Sequence, residues 1–195
     1  MNKIIVVFLA FFVCSTAFTQ NDSLPKQGYE FSVGKSILNK KLWSQPYRYE
    51  IKSASTLSVE INIKRLHRKN EELDFNFFAL TDETKKWRIR PVAIYYYKAD
   101  RKIYLKSKPD NRNYNVFEKY QLEGYEDFEA KIYKTNFLGL KKKRKVASTV
   151  PSLQKMKIKN SKITYYLDFP VRSSFDYGKV YFKGKTIGFT GVKEE

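Results

Sequence analysis

Alternation with a period of two is the feature that most limits what this chain can become. Leu57, Val59, Ile61 and Ile63 alternate with Ser58, Glu60, Asn62 and Lys64. Successive side chains of a strand leave on opposite faces, so the pattern predicts a strand with one apolar and one polar face. Ile163, Tyr165, Leu167 and Phe169 repeat the pattern against Thr164, Tyr166 and Asp168. Leu73, Phe75, Phe77 and Ala79 around Asp74 and Asn76 predict another strand. Trp87 to Tyr97 reads as one longer strand, with Pro91 at an edge or bulge because it has no N–H to give. A turn over Ala99 to Lys102 leads into a strand at Ile103 to Lys106. Val180 to Phe182 and Thr186 to Phe189 flank Lys183-Gly184-Lys185, a hairpin signal. Helical periodicity is missing throughout. Short strands with turns between them predict an all-β chain, an antiparallel β-sandwich, with a small β-barrel as the alternative.

The N-terminus carries a different signal. Met1-Asn2-Lys3 is a short basic start, Ile4 to Val13 is unbroken apolar sequence, and Ser15 to Thr19 supplies small residues before Gln20-Asn21-Asp22. That order predicts a secretory signal peptide over residues 1–19, cleaved after Ala17 or Thr19. Its apolar run of about 15 residues is short of the roughly 20 that a spanning helix needs, and no later stretch is longer. Cys14 raises the lipoprotein alternative, but Val13 precedes it where a small residue is the rule. Residues 20–195 then form one domain, with a less ordered arm over about 20–45, and the exported chain has no transmembrane segment. Cys14 is the single cysteine, so the exported domain holds itself together without a disulfide.

The net charge of +18 is unevenly placed. Ala130 to Leu167 contains no Asp or Glu and holds eleven basic residues. They include Lys141-Lys142-Lys143-Arg144-Lys145, a basic loop. Lys155, Lys157 and Lys159 share one face of a predicted strand at about 7 Å spacing. An Asn160-Ser161 turn would fold that strand back as a hairpin, placing Lys162, Thr164 and Tyr166 on the same face. These lysines and Arg144, with Tyr166 at their edge, are the candidate anion site. The plain alternative is a solvated loop and an edge strand guarded by Lys against aggregation.

Three segments resemble small immunoglobulin-like domains of exported bacterial envelope proteins. They are Leu57–Ile63, the run Phe77-Phe78-Ala79-Leu80-Thr81-Asp82 leading to Trp87, and Leu167-Asp168-Phe169-Pro170-Val171 leading to Tyr181-Phe182. In that family one strand ends in an F-x-L-x-D turn and a late strand ends in F-x-V-P. Here Asp82-Glu83-Thr84 stands where the family has Asp-Gly, and Phe169-Pro170-Val171 inverts the Val-Pro order. The resemblance implies an immunoglobulin-like sandwich in the cell envelope. It implies a binding or structural module and carries over no active site.

Constellations for chemistry are sparse. His67 is the only histidine and lies in Arg65-Leu66-His67-Arg68-Lys69, where cations disfavour imidazolium and no carboxylate orients it. With the lone cysteine in the leader, zinc and copper sites are not expected, and no cofactor is. Asp82-Glu83, Glu71-Glu72 and Glu126-Asp127 are adjacent pairs, whose side chains diverge on a strand. Val33-Gly34-Lys35-Ser36 lacks the earlier glycine of a phosphate-binding loop, since Tyr29 stands there. The expected role is an exported non-enzymatic binding or scaffold module with a basic face. Its anionic partner would be an acidic glycan, lipopolysaccharide or nucleic acid. The alternative is a structural component docking to an envelope protein through an edge strand or the Tyr95-Tyr96-Tyr97 patch. A carboxylate-based hydrolase is the third reading.

Overall fold

The computed structural model describes residues 28–39, 49–52, 55–67, 72–105, 107–108, 122–128, 131–134, 152–153 and 155–192. The expected leader with Cys14, the Lys141–Lys145 run and half of the stretch 116–137 lie outside them. The strands are β1 (Tyr29–Asn39), β2 (Tyr49–Lys52), β3 (Ser55–Arg65), β4 (Glu72–Asp74), β5 (Phe78–Asp82), β6 (Trp87–Ile89), β7 (Ala93–Lys98) and β8 (Arg101–Tyr104). They continue as β9 (Ser107–Lys108), β10 (Glu126–Asp127), β11 (Lys131–Lys134), β12 (Ser152–Leu153), β13 (Lys155–Lys157), β14 (Lys162–Val171), β15 (Tyr177–Phe182) and β16 (Lys185–Gly191). The first sheet has the order β1-β3-β14-β7-β8 and the second β10-β6-β5-β15-β16. Every pair within them is antiparallel except β10 with β6. The two sheets pack face to face and do not close into a barrel. Among the described residues no helix is long and apolar enough to cross a membrane.

This order is of immunoglobulin type. In that sandwich strands A, B, E and D share one sheet, and C, F and G the other. Here β1, β3 and β14 take the places of A, B and E, and β5, β15 and β16 those of C, F and G. The β7–β8 hairpin flanks β14 where D would lie, and β6 extends the second sheet beside β5.

The alternating residues explain the layers. Leu57, Val59, Ile61 and Ile63 of β3 and Tyr165, Leu167 and Phe169 of β14 face inward and are buried. Phe78 and Leu80 of β5 and Val180 and Phe182 of β15 meet them from the other sheet. Each such side chain contributes about 1.5–3 kcal/mol on burial. Aromatic rings fill much of the space: Phe75 lies edge-on to Tyr165 at 5.0 Å, and Phe78 meets Phe182 at 4.7 Å.

Three expectations need correcting. The strand expected over Leu73 to Ala79 is broken by a 3-10 turn at Phe75–Phe77, because the Asp74 carboxylate accepts from the Asn76 N–H. That turn resets the phase, so Phe78 and Leu80 face inward and Ala79 outward. Trp87 to Tyr97 is two strands in different sheets. The chain leaves the second sheet after Ile89 and enters the first at Ala93, and Pro91 lies in the crossing, where no ladder needs its N–H. The third error is the lysine hairpin. β13 pairs with β4, not with β14, which already has β3 on one side and β7 on the other. Lys159 therefore does not face Lys162; Lys64 does.

The stretch over 20–45, expected as a less ordered arm, contains the 11-residue strand β1, paired with β3. The hairpin expected around Gly184 is present. Lys183 and Gly184 both take positive φ, 51° and 77°, in a two-residue turn closing the β15–β16 hairpin.

Candidate functional site

Polar residues of β3, β14, β7 and β8 make the outer face of the first sheet. Tyr166 pairs with Tyr95 across β14 and β7, and their rings stack at 4.9 Å and 8°. Tyr97 stands edge-on to both, at 5.8 Å from Tyr95 and 5.4 Å from Tyr166. Tyr104 of β8 closes the cluster 5.3 Å from Tyr95. The Lys102 ammonium lies over the Tyr95 ring at 3.6 Å and near Tyr104 at 4.8 Å, both within cation–π reach. Of Tyr95-Tyr96-Tyr97, only Tyr97 offers open surface, at 53% exposure, because Tyr95 is buried and Tyr96 packs inward on Tyr165.

Asp168 is the unusual member. It is only 2% exposed, and its carboxylate accepts from the Ser58 hydroxyl. Burial pushes its pKa up to about 6, while the Ser58 hydrogen bond and the Lys102 charge pull the other way. Burial likewise raises the phenols of Tyr95 and Tyr104, so both stay neutral. It also lowers the Lys102 ammonium, against the pull of Asp168. Nothing in the sequence marks Asp168 as buried: alternation alone places it on the solvent side.

The strand directions gather cations at one end of this sheet. β7 runs antiparallel to β14, so the tip of the β7–β8 hairpin lies toward the start of β14. Ala99 and Asp100 take φ of 47° and 61° in a tight two-residue turn there. The tip brings Lys98, Arg101 and Lys102 to the end that already holds Lys64, Lys159 and Lys162, and all six are exposed. Acids are fewer there. Glu30 pairs with Lys64 at 2.8 Å and Asp100 sits in the turn. The Lys64 hydrogen bond and charge, and more weakly Lys162, hold the Glu30 carboxyl below its ordinary range.

The sequence-predicted anion residues are thus divided. Lys141, Lys142, Lys143, Arg144 and Lys145 lie outside the described residues. Lys159 and Lys162 join the basic end, and Tyr166 stacks in the tyrosine layer with its hydroxyl 3.3 Å from Glu60. Lys155 and Lys157 are spent elsewhere: Lys155 is 3.6 Å from Asp74, and Lys157 is in register with Glu72. Lys98, Arg101 and Lys102 were missed. The turn between β7 and β8 was legible, but the side of the sheet it would face was not.

The outer face of the second sheet holds a different cluster around Glu83. One carboxylate oxygen accepts from Thr81 at 2.6 Å and Tyr125 at 2.7 Å, the other from Lys179 at 3.0 Å. Burial raises its pKa, but these three donors outweigh it and leave the carboxyl below its ordinary range. Asp82 turns away and caps the backbone N–H groups of Thr84 and Lys85, so this adjacent pair does not converge. Glu126 and Asp127 are both exposed, and Asp127 forms an ion pair with Arg88 at 2.6 Å. Among the described residues no three His, Cys, Asp or Glu gather as a metal site. His67 is exposed just past the end of β3. Comparisons with family models, with curated proteins and with solved structures each give no match.

Proposed function

We propose that the chain is an exported, non-enzymatic binding module of the cell envelope that meets an anionic partner at the basic end of its first sheet. The observation that carries this reading is the convergence of Lys64, Lys98, Arg101, Lys102, Lys159 and Lys162 beside the exposed ring of Tyr97. Clustered cations draw an anionic polymer or surface at long range, and an aromatic face adds a contact that salt does not screen. An acidic glycan, lipopolysaccharide and a nucleic acid share the needed negative charge. The exported setting rests on the apolar leader.

The test is binding of the chain from residue 20 onward to heparin, DNA and lipopolysaccharide at low and physiological salt. A variant with Lys98, Arg101, Lys159 and Lys162 changed to Gln is compared with it. At exposed-pair strengths the four changes should weaken binding about tenfold or more. Binding that vanishes at physiological salt, or that ignores the variant, would overturn the reading. A second reading, docking to an envelope protein, has its own support. Tyr177 and Phe189 stack at 6.0 Å on the β15–β16 hairpin and remain 40% and 58% exposed.

A further inference from the structure

The basic end has a proton-accepting group built beneath it. Asp168 is buried under the tyrosine layer, with Lys102 laid across Tyr95 and Tyr104 on the solvent side. The groups facing Asp168 are few. β3 supplies Ser58, and Asn39 of β1 reaches it only through Ser58, at 3.4 Å from that hydroxyl. β7 supplies Ala93 and Tyr95, and β8 supplies Tyr104 and Lys102. Lys102 is thus the one cation among the described residues whose charge bears on this carboxylate.

We propose that Asp168 gates the basic end by taking up a proton: as a carboxylate it keeps the Lys102 ammonium folded over Tyr95 and Tyr104, and as a neutral acid it frees Lys102 for an anionic partner. This rests on the binding reading above. The balance is simple, one proton from solvent onto a carboxylate oxygen and no other bond made or broken. Lys102 gives up solvent to lie on the rings, and burial lowers its own affinity for a proton. Attraction to Asp168 offsets that cost, and a neutral acid supplies no such attraction. Burial pushes the carboxyl up to about 6, close enough to neutrality for a modest change of pH to load it. A hydroxyl can donate to the carboxylate or accept from the neutral acid, so Ser58 has a hydrogen-bonding partner in either state.

The experiment measures affinity for a heparin oligosaccharide at about pH 5 and about pH 7.5, spanning this range. It is run in a His67→Gln background, because His67 is the one histidine of the chain and lies toward the same end. The parent should bind about three- to fivefold more tightly at the lower pH, the effect of one more exposed ion pair. Adding Asp168→Asn should give the tighter value at both pH values, and adding Lys102→Gln the weaker value at both. A pH ratio that survives either change, or no ratio in a parent that binds, would overturn the proposal. Lys102→Gln lies at the surface and keeps the test open if Asp168→Asn does not fold. If heparin binds at neither pH, the binding reading fails, and the gate is then judged from the Lys102 side-chain NMR signals. Those must shift with a midpoint near that of Asp168; signals that stay put overturn the gate.

Discussion

Two carboxylates on opposite outer faces of the sandwich are built from similar parts and behave in opposite ways. Glu83 has a hydroxyl from Thr81, a phenol from Tyr125 and an ammonium from Lys179, all within hydrogen-bond distance. Asp168 has a hydroxyl from Ser58, a nearby phenol in Tyr95 and an ammonium in Lys102. The difference is where the cation goes. Lys179 touches its carboxylate, whereas Lys102 lies on aromatic rings and acts on Asp168 only through its charge. Burial therefore wins at Asp168 and loses at Glu83. A carboxylate whose partners are all engaged works as a fastener. One that is buried with its cation held aside keeps a proton affinity near neutrality, which suits a switch.

The contrast predicts opposite dependences of stability on pH. Asp168 has a folded pKa raised from 3.8 to about 6, so the folded chain binds its proton more tightly than the unfolded chain. Its contribution is fully present below about pH 4 and is lost as pH rises through about 6, a swing of about 3 kcal/mol. Glu83 is shifted downward, so its contribution is present above the ordinary glutamate range and is lost as pH falls through its folded value. The larger expected effect breaks the Asp168 side. Ser58→Ala removes the hydroxyl that satisfies the buried carboxylate and should cost about 1–3 kcal/mol at pH 8. The cost should shrink at pH 5, where the acid is neutral; urea unfolding at the two pH values measures it. A smaller effect sharpens the Glu83 side. Glu83→Gln keeps hydrogen bonds to Thr81 and Tyr125 but loses the charge on Lys179, and should cost about 1 kcal/mol at neutral pH. That difference should disappear below the ordinary glutamate range, and thermal unfolding across pH follows it.

Legibility in the sequence followed the same division between faces. β3 and β14 were readable because the apolar face of each meets the core without interruption, from Leu57 to Ile63 and from Tyr165 to Phe169, even though Ser58 and Asp168 on the other face are buried too. The β15–β16 hairpin was readable because Lys183-Gly184 suits a turn with two positive φ values. Where the chain changes sheet, apolar residues continue on both sides of the crossing, and Pro91 was the only mark. At Leu73 to Ala79 the phase is reset by one hydrogen bond, from the Asn76 N–H to the Asp74 carboxylate, which leaves the composition unchanged. The supposed lysine hairpin failed for a topological reason, since β14 is a central strand with no free edge for β13. The site fared likewise. Lys159, Lys162 and Tyr166 could be singled out from local pattern. Lys98, Arg101, Lys102 and the burial of Asp168 depend on where β7 and β8 dock, and no local window contains that.

The measurement that tests this account most directly is a carbon-detected NMR titration of the Asp168 and Glu83 carboxyl groups in one sample. The Asp168 midpoint should fall at about 6 and the Glu83 midpoint below its ordinary range, more than a unit apart. Two carboxyls titrating together near their ordinary values would contradict it, and with it the buried, proton-linked acid beneath the basic end.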